Sequence, residues 1–243
     1  MTRPRDLILP DGDGETHATS WEQGRSSGVV LVHGIVGHRS MPEIRAVADA
    51  LASDHDVLAI DVRGHGDDRR RFSWGCDEWR QVDAATQFLA AGGRRVAAVG
   101  FSFGGYHVAM AASRGAALDR VVLVGAPVDL RIFDRHPVVR PFLRHVPHLV
   151  RRRRRFPRLG PLPRLAATRI DDADLAAIRA APLVIHCGGD WLISRRHAAT
   201  YAGAIPGSVL EEIPGGLHAE YLLAADPFPL LDRLRKFLAD GGC

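Results

Sequence analysis

Six short, β-prone apolar runs interleaved with stretches of helical periodicity constrain this chain more than any other feature. The runs are Val29–Val32, Asp56–Ile60, Val96–Phe101, Arg120–Gly125, Leu183–Cys187 and Val209–Ile213. Between the first two, Pro42–Ala52 sets Ile44, Val47, Ala48 and Leu51 on one helical face; Trp79–Ala91 and the Ala-rich Tyr106–Ser113 read the same way, and Pro229–Leu238 reads as a closing helix. Most of the runs are continuously apolar rather than alternating, the pattern of strands buried on both faces. Strands of that kind separated by helices predict an α/β fold with a doubly wound, mostly parallel sheet. Two earlier stretches, Asp6–Leu9 and Glu15–Trp21, flank the turn residues Asp11-Gly12-Asp13-Gly14 and predict an antiparallel edge.

The alternation fails once. From about Asp129 to Ala180 the sequence is Pro-interrupted and Arg-rich, with Val138, Val139, Phe142, Leu143, Val146, Leu149 and Val150 at helical spacing. The expected organisation is a core of residues 1–129 and 181–243, with residues 130–180 inserted between two strands as a helical lid. Charge sets the insertion apart. Arg131 to Arg164 holds eleven arginines and one acid, Asp134, so this segment carries +10 of a chain whose total is +4, and the remainder carries −6. Five of those arginines are consecutive, Arg151–Arg155. They suit a solvated face of the lid, or recognition of an anionic carrier or membrane surface. No base-stacking aromatic cluster or binding motif accompanies them, so nucleic acid is not expected.

Composition excludes several classes. No apolar run approaches the roughly 20 residues that cross a bilayer, and no apolar stretch follows the opening Met-Thr-Arg-Pro-Arg-Asp, so neither a transmembrane segment nor a leader is expected. Cys76, Cys187 and Cys243 are sparse, odd in number and without metal-type spacing, which favours reduced thiols and a cytoplasmic setting.

In an open parallel sheet, ligands gather at the carboxyl ends of the strands. His33-Gly34, Asp61, Ser102, Asp129, Asp190 and His218 all fall just after predicted strands. Gly100-Phe101-Ser102-Phe103-Gly104 is a G-x-S-x-G sequence between a strand and a helix, where small neighbours let one hydroxyl stand out from a sharp, strained turn. A serine hydroxyl is a weak nucleophile unless a base takes its proton and a carboxylate holds that base in one tautomer. The Gly-rich loops contain neither a Walker lysine nor a dinucleotide fingerprint after the first strand, so no nucleotide, metal or other cofactor is expected.

Over nearly its full length the chain resembles the α/β-hydrolase superfamily. The likeness rests on His33-Gly34-Ile35-Val36-Gly37, Asp61-Val62-Arg63-Gly64-His65-Gly66, the Ser102 elbow with Gly105, Gly188-Gly189-Asp190 and Gly215-Gly216-Leu217-His218, in that order. The resemblance implies Ser102 as nucleophile, His218 as base, and backbone N–H groups of Phe103 and Ile35 as the oxyanion hole. The acid is Asp190, after the strand ending at Cys187, or alternatively Asp129, after the preceding strand. His33 and His65 match loop-shaping positions of the family, and His107 and Asp61 read as structural. The Asp67-Asp68 pair departs from the small residue often found after Arg-Gly-His-Gly. A serine rather than an aspartate at 102 disfavours the epoxide-hydrolase and haloalkane-dehalogenase branches. The implied activity is cleavage of a small-molecule carboxylic ester. The alternatives are a thioesterase acting on an acyl-CoA or carrier-bound acyl group and a non-catalytic binding member of the fold.

Overall fold

The computed structural model describes residues 3–129, 157–161, 168–219, 223 and 226–239. Eight strands form one sheet: β1 (Arg5–Pro10), β2 (Glu15–Trp21), β3 (Ser27–Val32), β4 (Asp56–Ile60), β5 (Arg95–Phe101), β6 (Arg120–Val124), β7 (Pro182–Cys187) and β8 (Val209–Ile213). Their spatial order is β1-β2-β4-β3-β5-β6-β7-β8. The pairs from β4 through β8 are parallel, while β1 and β2 form an antiparallel hairpin that β2 joins to β4. The fold class read from the apolar runs and the antiparallel edge both appear in this sheet.

Helices cover both faces, as continuously apolar strands require. On one face lie α1 (Pro42–Leu51) and the closing α6 (Phe228–Ala239), which bury Ile44, Val47 and Leu51 and Leu230, Leu234 and Leu238 against β3, β5 and β6. On the other lie α2 (Trp79–Ala90), α3 (Phe103–Ser113) and the short α4 (Asp172–Ala177). Helix α3 is buried from Phe103 to Ala112, so its run of Gly and Ala is a packing requirement: a helix enclosed on all sides presents no polar face. It begins at Phe103, three residues before the helical stretch read from the sequence. Helix α5 (Arg195–Ala204), between β7 and β8, was not among the helices expected; only His197, Ala198 and Tyr201 of its ten residues are buried, which leaves a weak periodic signal.

The chain runs from β3 outward to β4, then returns to place β5 on the other side of β3. In sheets of this kind such a reversal marks the usual ligand position, here the carboxyl ends of β3 and β5. The loops carrying His33 and Ser102 leave from those two ends.

The residues after β6 and those before α4 are tied to each other: the Ile170 N–H donates to the Val128 carbonyl (2.8 Å), and Asp129 and Arg169 pair as an antiparallel bridge. Residues 157–161 lie along Phe72, whose N–H donates to the Arg158 carbonyl (2.8 Å) and whose carbonyl accepts from the Gly160 N–H (3.0 Å). The apolar stripe from Val138 to Val150 and the run Arg151–Arg155, on which the expectation of a lid rests, lie outside the described residues, as does Cys243. Among the described residues no helix is long and apolar enough to cross a membrane.

Candidate active site

Ser102 occupies the turn from β5 into α3 with φ +51 and ψ −122, one of three non-glycine residues at positive φ among those described. Such a conformation costs an L-residue on the order of 1–2 kcal/mol and persists only where its surroundings enforce it. Here the Ser102 N–H donates to the Val124 carbonyl on β6 (2.8 Å), and its carbonyl accepts from the Gly105 N–H (3.0 Å). The turn also demands glycine at 104, where a Cβ would stand 2.4 Å from the carbonyl oxygens of both Val32 and His33. That contact seats the first turn of α3 on the end of β3 and brings the serine beside the His33 loop.

The hydroxyl meets an imidazole. Ser102 Oγ lies 2.8 Å from His218 Nε2, and His218 Nδ1 lies 2.7 Å from Asp190 Oδ2. The other Asp190 oxygen accepts from the N–H groups of Leu192 (2.9 Å) and Ile193 (2.8 Å), so both oxygens of the carboxylate are held. With Nδ1–H directed to Asp190, the proton-free Nε2 faces the hydroxyl, the tautomer that a general base requires. Ser102, His218 and the Asp190 carboxyl are all buried, which strengthens each of these contacts. A hydroxyl–imidazole–carboxylate chain of this geometry can take a proton from the serine as its oxygen attacks an electrophilic centre.

Of the two acids read from the sequence, only Asp190 is in hydrogen-bond contact with His218. Asp129 is directed elsewhere, 3.6 Å from the Arg196 guanidinium. Gly125 lies beneath the Asp190–His218 pair with φ +57; a Cβ there would stand 3.3 Å from Asp190 Oδ2 and 3.5 Å from His218 Nδ1. Sequence reading missed this residue, although a glycine directly after a buried strand was a usable signal. It also missed His197 and Tyr201 of α5, which hold the loop after β6: the Val128 N–H donates to His197 Nδ1 (3.2 Å), and the Tyr201 hydroxyl donates to the Pro127 carbonyl (2.8 Å).

The two backbone donors expected to face a developing oxyanion are held differently. Phe103 is the first residue of α3, so its N–H has no carbonyl partner within the helix. Ile35 lies in the loop after β3, and its N–H meets no acceptor among the described residues. The carbonyl of the same peptide, that of Gly34, accepts from His33 Nδ1 (2.8 Å) and the Gly37 N–H (2.9 Å). In a planar trans peptide, fixing the carbonyl on one side turns the N–H to the other.

The remaining polar residues brace the site. Asp61 accepts from the Arg39 N–H (2.7 Å), the Arg39 guanidinium and the Asp67 N–H (2.9 Å), while the Asp67 carboxylate pairs with Arg39 at 2.9 Å. Asp68 pairs with Arg70 at 2.6 Å. The Asp67-Asp68 pair therefore carries the arginine partners of a loop scaffold. Burial, together with the neighbouring His65, holds His33 well below its ordinary 6.5, and burial does the same to His107 in a ring cluster with Phe72, Phe103 and Tyr106. Neither is hydrogen-bonded to the serine. Among the described residues no group of three or more His, Cys, Asp or Glu side chains could hold a metal ion.

Known proteins share this architecture. An esterase from Pyrococcus furiosus superimposes with a TM-score of 0.78 at 17% identity, covering 98% of this chain and 92% of its own. A serine hydrolase from the polyaromatic-hydrocarbon-degrading bacterium Cycloclasticus zankles gives 0.74 at 17% identity, covering 99% and 100%. An esterase from Rhodococcus sp. gives 0.71 at 20% identity, again covering 99% and 100%. At these identities the likeness is one of fold. Among curated protein sequences none matches the chain. The model of the alpha/beta hydrolase family matches residues 29–237, from the strand before the His33 loop to the closing helix, and the chain belongs to that family.

Proposed function

We propose that the protein is a serine hydrolase that cleaves carboxylic esters through an acyl-enzyme on Ser102. The observation that carries this reading is the chain of contacts Ser102 Oγ–His218 Nε2 (2.8 Å) and His218 Nδ1–Asp190 Oδ2 (2.7 Å), built on a serine held at positive φ. In the proposed reaction Ser102 Oγ attacks the ester carbonyl carbon while His218 Nε2 takes its proton. The carbonyl oxygen becomes an oxyanion facing the N–H groups of Phe103 and Ile35, each worth about 3–4 kcal/mol of barrier. Collapse expels the alkoxide, which leaves as the alcohol with the proton from His218. Water, deprotonated by His218, then attacks the acyl-enzyme, and the carboxylic acid departs as the proton returns to Ser102. Asp190 keeps the imidazole oriented and supports its charged form between these transfers.

The superimposed proteins, two esterases and a serine hydrolase, agree with this chemistry. We assign the protein to the cytoplasm on its sparse cysteines. The test is intact-mass analysis after treatment with a fluorophosphonate. One adduct is expected on the wild type, none on Ser102→Ala, and much slower labelling on His218→Ala. An adduct that survives Ser102→Ala removes the nucleophile assignment.

A second reading, a thioesterase acting on coenzyme A or carrier-bound acyl groups, is favoured by the +10 segment between Arg131 and Arg164. Neutralising arginines 151 to 155 should then depress hydrolysis of a coenzyme A thioester while sparing a small neutral ester. Equal loss on both substrates removes the electrostatic argument.

A further inference from the structure

The two proposed oxyanion donors place unequal demands on the protein. The Phe103 amide is fixed by the helix it begins, whereas the Ile35 amide belongs to a loop and its direction depends on what grips that loop. Two imidazoles do. His33 Nδ1 lies 2.8 Å from the Gly34 carbonyl, and His65 Nε2 lies 2.5 Å from the next carbonyl along the chain, that of Ile35. The peptides on either side of Ile35 are therefore both held, which restrains the rotations that set the direction of its N–H.

His65 is itself held on every side. Its Nδ1 lies 2.9 Å from the Arg63 carbonyl, its ring packs against His33 (centroids 5.2 Å apart), and Phe72 meets it edge-on at 4.9 Å. The ring is buried, so no bulk water competes for these contacts. In both the imidazolium and the neutral tautomer with its proton on Nε2, the bond to Ile35 is made. His33 is anchored in turn, because the Val62 N–H donates to its Nε2 at 3.2 Å. The loop after β4 thus reaches across and sets the loop after β3 through one imidazole.

We propose that His65 is a positioning residue for ester hydrolysis: its Nε2–H, donating to the Ile35 carbonyl, aims the Ile35 amide at the oxyanion. The inference rests on the function proposed above and adds a residue that touches neither substrate nor Ser102. It predicts an effect on transition-state stabilisation with little effect on ground-state binding.

Two isosteres separate this role from mere support. A glutamine amide nitrogen reaches the position of Nε2, and an asparagine amide nitrogen that of Nδ1. His65→Gln retains the bond to Ile35 and gives up the contact with Arg63; His65→Asn does the reverse. On a 4-nitrophenyl ester, His65→Asn should lower kcat roughly tenfold to a hundredfold with KM within about twofold, less than the loss of a whole donor. His65→Gln should recover most of that loss. Affinity for a trifluoromethyl ketone, whose adduct carries the oxyanion, should fall in parallel with kcat. Equal effects of the two variants, or a change confined to KM, overturns the proposal. Thermal melting checks that both variants fold. A measurement independent of folding is nitrogen-15 NMR of the wild-type histidines, in which a deprotonated Nε2 on His65 overturns it as well. Fluorophosphonate labelling of wild-type Ser102 keeps the two readings apart: no labelling sinks the proposed function, whereas labelling with unchanged kcat in His65→Asn sinks only the role of His65.

Discussion

The two ends of the sheet are made from the same strands and are finished in opposite ways. At the amino ends, polar groups close on one another. The Asp56 carboxylate accepts from the N–H groups of Gln23 (2.6 Å) and Arg25 (3.2 Å) and from Arg94 Nε (2.7 Å); Asp119 accepts from the Val96 N–H (2.8 Å), and Ser27 Oγ meets His55 Nδ1 at 2.7 Å. Burial pushes the Asp56 carboxyl up, but these donors together hold it below its ordinary 3.8. Two surface hollows lie at this end, one beside His55 and Asp119 and one beside Arg94 and Arg179, away from the serine. At the carboxyl ends lie a serine and an alanine at positive φ, Ser102 and Ala219, and the backbone donors of Phe103 and Ile35. Strain and uncommitted donors are what a reactive site needs and what a structural seam avoids. A hollow by itself does not mark the chemistry.

This contrast makes measurable demands, the largest on Asp190, the acid of the proposed mechanism. Asp190→Asn should cost on the order of 10⁴-fold in kcat by removing the acceptor that sets the His218 tautomer, while Asp129→Asn stays within a few-fold. Reversal of the two in ester hydrolysis would exchange their roles. Next comes Gly125→Ala, which places a methyl against Asp190 and His218 at an unfavourable φ. A roughly tenfold to hundredfold loss of kcat, with about 1 kcal/mol of stability, is the expected outcome in kinetics and chemical denaturation.

The amino end should respond in the opposite sense. Asp56→Asn removes the ionic partner of Arg94 and should cost about 1–3 kcal/mol in denaturant unfolding, with kcat/KM unchanged within about twofold. A large catalytic defect there would break the division of labour between the two ends.

The smallest effect near neutrality, growing on acidification, comes from buried histidines. Burial holds His33, His55, His65, His107 and His197 below the ordinary 6.5, His197 to about 4. Below pH 6.5 the unfolded chain takes up protons that the native state refuses, so stability is full above that value and is lost as pH falls. For His197 alone the loss is about 3 kcal/mol between pH 6.5 and 4. Melting temperatures from pH 8 to 5 should fall monotonically; a flat profile would show that these rings are not held neutral.

The apolar runs from Val29 to Ile213 made the sheet legible because strands buried on both faces carry one message per residue. Helix α5 was not legible, since only His197, Ala198 and Tyr201 of it touch the core. Ser102 and His218 could be picked out because each sits in a Gly-rich stretch just after a strand. The anchors His197 and Tyr201 could not, because each acts through a contact that no local pattern records; the resemblance marked His65 as loop-shaping without naming Ile35 as its partner.

Sequence by itself determined the order of the strands, the elbow and the short set of groups that could do chemistry, because those depend on local periodicity and on which residues tolerate a strained turn. It pointed to Asp190 as the acid, with Asp129 as the alternative. Only the tertiary structure decided that Asp190 meets His218 while Asp129 faces Arg196, and that His65 grips the Ile35 loop. A hydrogen bond needs its partners within about 3 Å. Whether residues 28 or 30 positions apart come that close depends on how separate loops pack, which local sequence does not encode.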